Sequence, residues 1–554
     1  MTIPRFPDLV PAALRRTWAA EGHYPDLDLY SLFRAHRIAG PKRIAVIDSE
    51  GAVSYAELDR QARCLAAGLS EAGVCPGDVV GVQLPNGRDA VATDLALAAL
   101  GAVALPFPVG RGGREAMSLL GRSGARAVIA AIGHRGVEHA RELVDLADEL
   151  PGLRHVIATG PGPVPGGCLS MQDLLHADPA SFTPVRPDPD TAARILVSSG
   201  SEAEPKMVAY SHNALAGGRG NFLAALLPGG TPPRCLFPVP LASAFGSSGT
   251  AVTLARHGGT LVLLDRFTPA ATLQAIRAHR PTHVLGVPTM VRMMLEQAQR
   301  ERQASQGLTA LVLGGSPLDD ATREEAATAF GCVVVNLYGS ADGVNCHSGL
   351  TGALPSGHGP GTVAGRPDPA VCDIRIDPSR GSDPAAGTGE ILARGPMTPL
   401  CYVGAPELNM RYRTADGWVR TGDLGLLDAH GMLRVVGRLK DIVIRGGANI
   451  SPAEVDGELS SHPDVRDVMC VGVPDPLMGE RLAACVVPKA GRAPTLESLC
   501  AHLEARGLER RKHPERLLIV KDELPLTPAG KPDRAALRDR LAAAFRAERE
   551  QDAG

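Results

Sequence analysis

The chain has 554 residues, of which 44 % are hydrophobic, 21 % charged and 3 % aromatic; that length exceeds one compact core, so a large domain and at least one smaller one are expected. Sixty acidic against 57 basic side chains leave a formal charge of -3, which excludes the strong single-sign field of a nucleic-acid or anionic-membrane binder and points to small-molecule partners. Eleven cysteines without paired C-x-x-C spacing signal neither a disulfide framework nor a zinc knuckle, and adjacent Cys346 and His347 lack further ligands at tetrahedral spacing.

At the N-terminus Pro11 breaks a short apolar run, and the longest apolar stretch, Leu95 to Val109, contains Pro106 and Pro108. No signal peptide or membrane span is read, and a cytoplasmic location is expected. Ser54 and Glu57 make a capping-box pattern ahead of Leu58, Ala62, Leu65 and Leu69, so a helix begins there and runs to Gly73. Short apolar runs follow at Val79–Leu84, Ala127–Ala131, His155–Thr159, Ile195–Val197, Leu261–Asp265, Val284–Val287, Leu311–Leu313 and Val333–Leu337. These read as buried strands. Helix-like segments between them, such as the one opened by Thr268 and Pro269, imply largely parallel sheets covered by helices. From Thr351 to Gly437 the texture changes to Gly and Pro punctuation around short alternating runs, Cys372–Asp377 and Met432–Val436, which suggests a small antiparallel sheet or barrel. Beyond Asp441 apolar strands mix with a helix over Thr495–Arg506 and a charged C-terminal helix.

Five segments carry chemistry. Val197-Ser-Ser-Gly-Ser-Glu-Ala-Glu-Pro-Lys206 is a Ser/Gly loop after an apolar strand, suited to gathering phosphate oxygens, although its spacing is not that of a Walker A loop. Leu337-Tyr-Gly-Ser-Ala-Asp342 sets an aromatic ring, a tight glycine and a carboxylate after a strand, where ligands of open α/β sheets gather; an ordinary turn with a capping Asp is the alternative. In Trp418-Val-Arg-Thr-Gly-Asp423 the carboxylate can accept paired hydrogen bonds from ribose hydroxyls, or simply close a β-turn. Gly437-Arg-Leu-Lys-Asp441 precedes the Gly446-Gly447 pair like a hinge. Lys531 stands on a Gly/Pro loop, Leu524-Pro-Leu-Thr-Pro-Ala-Gly-Lys-Pro-Asp-Arg534, and alone reads as a surface lysine.

In order and spacing these segments resemble the adenylate-forming superfamily of acyl-CoA synthetases, peptide-synthetase adenylation domains and beetle luciferases, most closely the free-standing acyl- and aryl-CoA ligases. The likeness runs from Tyr55-Ala-Glu-Leu58 through Gly361-Thr-Val-Ala-Gly-Arg-Pro367, Gly389-Glu390 and Arg394-Gly-Pro396 to Lys531. It implies an N-terminal domain over residues 1–437, with two α/β subdomains to about 345 and a small β-barrel over 346–437, a hinge at 438–441, and a mobile α+β C-terminal domain over 442–554. It further implies that Ser198, Ser199, Gly200, Ser201 and Lys206 grip phosphate, that Gly314, Gly315, Ser316, Tyr338 and Gly339 flank adenine, and that Asp423 and Arg438 take the ribose. Asp342 matches the magnesium position, Lys440 the hinge, and Gly446 and Gly447 a thiol channel. Lys531 matches the lysine that reaches the substrate carboxylate and the α-phosphate. The implied reaction uses ATP and Mg2+ to convert a carboxylic acid to acyl-AMP and then to the CoA thioester; the alternatives are an enzyme that hands the adenylate to a carrier-protein phosphopantetheine or partner ligase, and a binding homologue with weak turnover.

The chain departs from the pattern at Ala203 and Met207, where glycine is common, at Ala341, where a threonine would touch phosphate, and at Asp342, one methylene shorter than the usual glutamate. In Pro240-Leu-Ala-Ser-Ala-Phe-Gly246 Ser243 replaces a histidine at the border of the acyl pocket. Ser243, Ala244, Phe245 and Gly246 are the expected pocket residues, and the small side chains from Ala242 to Gly249 suggest either room for a bulky acid or close packing of the chain. The acidic residue with which amino-acid-activating relatives bind an amino group is missing.

Overall fold

A computed structural model describes residues 6–198, 205–301, 307–351, 361–380, 387–445, 448–475, 478–521, 523–526 and 533–541. The apolar runs form strands, and the helices between them are started by side chains that satisfy first-turn amides. Ser54 Oγ accepts from the Glu57 amide at 3.2 Å to open Tyr55–Glu71, while the Glu57 carboxylate turns to Arg60 and Gln61, leaving the expected capping box half formed. Thr268 opens Pro269–His279, and Thr495 with Ser498 makes a reciprocal box on Leu496–Ala505.

Two eight-stranded sheets result. In the first, Asn345–His347, Val333–Gly339, Ala310–Gly314, His283–Gly286, Arg234–Phe237, Thr260–Leu263, Ile44–Asp48 and Gly51–Ser54 stand side by side, parallel except for the two edge strands. The second runs Cys401–Tyr402, Met207–Ser211, Ala192–Val197, Val103–Pro106, Val79–Gln83, Ala127–Ala131, His155–Thr159 and Cys168–Ser170, with antiparallel pairing confined to its first three members. The expected antiparallel β unit is a five-stranded ladder, Thr362–Gly365, Leu433–Arg438, Val419–Leu427, Gly389–Arg394 and Asp373–Asp377. A fourth, mixed sheet centres on the long hairpin Val465–Asp475 with Gly479–Pro488, and Arg516–Ile519 joins it in parallel.

With few aromatic residues the core is built largely from Ala, Val and Leu, and its aromatics meet in small groups: Phe33 stacks on Tyr55 at 5.3 Å, and the Tyr55 hydroxyl donates to Gly259 O at 2.7 Å. The C-terminal unit has its own core of Val443, Val455, Leu459, Leu482, Leu499 and Leu503. It meets the larger part where Ser451 Oγ donates to Val436 O and where Arg292 pairs with Asp467 at 3.4 Å. A Cβ on Gly437 would strike Ser451 Oγ, so a side chain there would displace that hydroxyl from Val436 O. The eleven cysteines are free thiols, and among the described residues no helix is long and apolar enough to cross a membrane.

Candidate active site

The site begins at the carboxyl ends of adjacent parallel strands. Ala310–Gly314 pairs with Val333–Gly339 so that Gly314 lies beside Leu337, and the turns beginning at Gly315 and Gly339 leave the same sheet edge. This is where open α/β sheets gather ligands. A Cβ on Gly314 would lie 2.8 Å from Leu337 O, and Gly315 has φ of 86°, a conformation that favours glycine. Gly315, Tyr338 and Gly339 thereby stand at the ends of two paired strands.

Tyr338 reaches from this edge to the five-stranded ladder, where its hydroxyl donates to Asp423 Oδ2 at 2.7 Å. Asp423 and Arg438 face each other across neighbouring strands, and Arg438 Nε lies 3.0 Å from Asp423 Oδ1. Burial pushes the Asp423 carboxyl above its usual range, against the opposing pull of Arg438 and Tyr338. The Asp423 charge holds the Arg438 guanidinium above its ordinary value, while desolvation and the same charge raise the Tyr338 phenol. The triad is a preformed acceptor and donor pair at the mouth of the sheet edge, with the Arg438 side chain 52 % exposed. Lys440 sits two residues on, in the turn Leu439–Asp441, close enough that its charge bears on Asp423.

Asp342 anchors a second cluster. Its Oδ1 accepts from the Tyr402 hydroxyl at 2.8 Å and lies 3.5 Å from Lys206 Nζ. Lys206 in turn stands 4.1 Å from the centre of the Tyr412 ring and 5.8 Å from that of Tyr402, so one ammonium is held by a carboxylate and two aromatic faces. Asp342 Oδ2 makes no hydrogen bond among the described residues. No group of three or more His, Cys, Asp or Glu residues suited to a metal occurs among them either. A lone carboxylate with an uncommitted oxygen suits Mg2+, which keeps waters and draws its other ligands from substrate phosphates, better than a metal needing an all-protein cage.

Ser198 and Lys206 close the hairpin between Ala192–Val197 and Met207–Ser211: the Ser198 amide donates to Lys206 O at 2.9 Å and the Lys206 amide to Ser198 Oγ at 3.1 Å. Arg111 donates to Ser198 O at 3.1 Å from the neighbouring layer. Ser199, Gly200, Ser201 and Ala203 of the loop, Gly446 and Gly447, and Lys531 lie outside the described residues. Met207 is 1 % exposed and packs in the core as a strand residue, so its side chain does not face a phosphate.

Residues 33–403 match the family model of AMP-binding enzymes, and residues 454–531 that of the AMP-binding enzyme C-terminal domain. The chain belongs to the AMP-binding enzymes. It is an acyl-adenylate-forming enzyme of the same superfamily as the acyl-CoA synthetases. Among curated relatives it is 31 % identical to a salicyl-AMP ligase / salicyl-S-ArCP synthetase of Mycobacterium tuberculosis, over 95 % of this chain and 93 % of the other. It is 30 % identical to 2-hydroxy-7-methoxy-5-methyl-1-naphthoate–CoA ligase of Streptomyces carzinostaticus, over 94 % of each. Among solved structures the amide bond synthetase McbA of Marinactinospora thermotolerans superposes with a TM-score of 0.80 at 31 % identity, covering 93 % of this chain and 99 % of that one.

In this AMP-binding enzyme the segment expected to border the acid is a tight turn. Ser243 Oγ donates to Pro240 O at 2.7 Å and accepts from the Gly246 amide at 2.9 Å, and Ser247 Oγ donates to Ala244 O at 2.7 Å. A Cβ on Gly246 would strike Pro240 O, and one on Gly249 would lie 2.6 Å from Leu241. These two glycines are small because the chain packs on itself there, which removes them from the argument for a roomy pocket. Ala244 and Phe245, both partly exposed, remain the candidates to meet an acid. Sequence reasoning missed Tyr402, Tyr412, Arg111 and Arg219. The first two stand about two hundred positions from Lys206, and only the antiparallel pairing of Cys401–Tyr402 with Met207–Ser211 brings them near it.

Proposed function

We propose that this enzyme joins ATP and a bulky carboxylic acid into an acyl-adenylate with release of pyrophosphate, and then transfers the acyl group to the thiol of CoA. The observation that carries the adenylation step is the nearness of two clusters, Asp342 with Lys206 and Tyr338 with Asp423 and Arg438, close enough that the Asp342 charge bears on Asp423. Asp423 and Arg438 hold the ribose hydroxyls, Tyr338 and the Gly314–Ser316 turn bound the base, and Lys206 with the Ser198 hairpin steadies phosphate oxygens. A carboxylate oxygen attacks the α-phosphorus in line, and pyrophosphate departs with the electron pair of the broken P–O bond. Two anions meet in that step, so cationic groups must stand at the reacting atoms. Lys531 is assigned that task between the carboxylate and the α-phosphate. Mg2+ held at Asp342 supplies charge neutralisation on the phosphates when bound. In the second step the thiol sulfur attacks the acyl carbon and gives its proton to water, the acyl C–O bond breaks, and AMP leaves with that electron pair. Lys440 is assigned the pivot that exchanges Lys531 for the Gly446–Gly447 face between the steps.

A second acceptor reading has specific support: the salicyl-AMP ligase relative is as similar as the naphthoate–CoA ligase, and its name includes loading of a carrier protein. ATP–pyrophosphate exchange over a panel of acids tests the first step, and acid, ATP, Mg2+ and CoA followed by mass spectrometry tests the second. Acyl-CoA is expected; adenylate without thioester would overturn the CoA step and leave the carrier-protein reading. Exchange with acetate and propionate alone would remove the bulky acid.

A further inference from the structure

Four arginines are deeply buried in the described structure, and three of them face a carboxylate. Arg15 pairs with Asp8 at 2.6 Å and Asp190 at 3.1 Å, Arg194 with Asp94 at 2.6 Å, and Arg434 lies 3.8 Å from Asp428. Arg219, 7 % exposed, has no carboxylate partner among the described residues. Its Nη1 donates to Ala244 O at 3.0 Å and Ser247 Oγ at 3.3 Å, and its Nη2 to the Tyr210 hydroxyl at 3.3 Å and Ser340 O at 3.4 Å. The guanidinium also lies 4.9 Å from the Tyr210 ring centre. Every one of these acceptors is neutral. Arg219 Nε is buried with no partner at all.

The Nε atoms of Arg15 and Arg194 are unpartnered as well, so what sets Arg219 apart is the missing carboxylate, and a buried cation without a counterion is costly. The place of this one suggests the cause. Arg219 bridges the Pro240–Ser247 turn, which borders the expected acid site, and the Tyr338–Asp342 turn, which carries the nucleotide residues. Phe222, one helical turn beyond Arg219, packs edge-on against His347 at 5.2 Å. The His347 Nδ1 accepts from the Gly349 amide at 3.2 Å, so Nε2 carries the proton, and that nitrogen too is buried and unpartnered. The Arg219 charge, unmatched by any carboxylate among the described residues, calls for an anionic acceptor.

We propose that Arg219 is a specificity-determining residue that binds a second anionic oxygen group on the acid, so that the preferred substrates carry such a group besides the carboxylate that is adenylated. The proposal rests on the adenylation reading above. A reacting carboxylate held by Arg219 would be served alike in every acid, so acids matched on one skeleton separate the two roles.

The test is ATP–pyrophosphate exchange with benzoate against the benzenedicarboxylates, 1-naphthoate against naphthalenedicarboxylates, and hexanoate against adipate, in the wild type, Arg219→Gln and Arg219→Lys. The wild type is expected to favour one diacid over its monoacid by about tenfold or more in kcat/KM, and Arg219→Gln to lose that preference through the diacid KM, beyond the loss that both acids share because the bonds to Ala244 O and Ser340 O are gone. Arg219→Lys should retain part of the preference. Equal losses on both members of every pair, or a wild type indifferent to the second carboxylate, would overturn the proposal. In case Arg219→Gln does not fold, thermal shift without ATP compares the wild type with Arg219→Lys: the favoured diacid should stabilise the wild type more than the matched monoacid and lose part of that advantage in Arg219→Lys, and an unchanged diacid advantage would count against Arg219. Absence of exchange with every acid would sink the adenylation reading instead, and the difference in diacid thermal shift between the wild type and Arg219→Lys would still report on Arg219 separately.

Discussion

Replacing Asp342 by Asn keeps the shape of the side chain and an oxygen for the Tyr402 hydroxyl, but removes the charge opposite Lys206. The ammonium lies 3.5 Å from the carboxylate, and both side chains are mostly buried, 13 % and 11 % exposed. At that separation an effective dielectric constant of about 20 gives an attraction of about 5 kcal/mol. Part of this is returned because the carboxylate no longer has to be desolvated, and the Tyr412 face still holds the ammonium with about 1 kcal/mol. Breaking one side of a buried pair commonly costs about 3–5 kcal/mol, so a net loss of about 2–4 kcal/mol is expected for Asp342→Asn. Denaturant unfolding without nucleotide reads it, with Asp342→Glu as the charge-preserving control. The same variant should raise the Mg2+ concentration needed for half-maximal pyrophosphate exchange by about tenfold or more, because the carboxylate assigned to the ion is gone. Unchanged stability together with an unchanged Mg2+ requirement would refute both the pairing energy and the assigned metal role.

Tyr338→Phe removes a 2.7 Å hydrogen bond to the buried Asp423 carboxylate. A loss of about 1.5–3 kcal/mol in stability is expected from a bond to a charged group, together with a raised KM for ATP, and saturation kinetics with a melt check both. His212 and His257 are kept neutral by burial, their pKa lowered from 6.5 to about 4. Between those values the unfolded chain binds more protons, so stability is fully present above pH about 6.5 and declines as pH falls toward 4, by at most about 1.4 kcal/mol per unit for each histidine. His212→Gln, which keeps an acceptor for the Leu29 amide, should flatten that decline in a pH series of melts; an unaltered slope would show that another group carries it. Gly246→Val should destabilise the turn at Pro240 by about 1–3 kcal/mol through overpacking, whereas an unaffected melt would return Gly246 to the roomy-pocket reading.

Much of the α/β framework was legible because buried parallel strands are short, continuous apolar runs with little else to confuse them. Ala127–Ala131 and His155–Thr159 carry the bounds expected for them. Ala192–Val197 begins three residues earlier than its apolar run, because Arg194 enters the interior by pairing with Asp94 and donating to Leu241 O. The helix carrying Arg219 gave no periodic signal, since Gly217 and Gly218 sit where Tyr24 and Met397 approach the backbone closely. Candidate site residues could be nominated only as an ordered set of motifs, and their partners not at all. Tyr402, Tyr412 and the lone buried charge of Arg219 become visible only once distant segments share a sheet edge. Even the small residues around Gly246 read both ways until the Pro240 carbonyl was seen to occupy the space.

The central claim is that the chain adenylates a carboxylic acid with Lys531 at the reacting atoms. It is tested most directly by acid-dependent ATP–pyrophosphate exchange in the wild type and in Lys531→Ala. Mg2+-dependent exchange with at least one bulky acid is predicted, reduced by several orders of magnitude in Lys531→Ala, while thioester formation from preformed adenylate is much less affected. Exchange that no acid elicits in the wild type, or equal loss of both half-reactions in Lys531→Ala, would contradict the account.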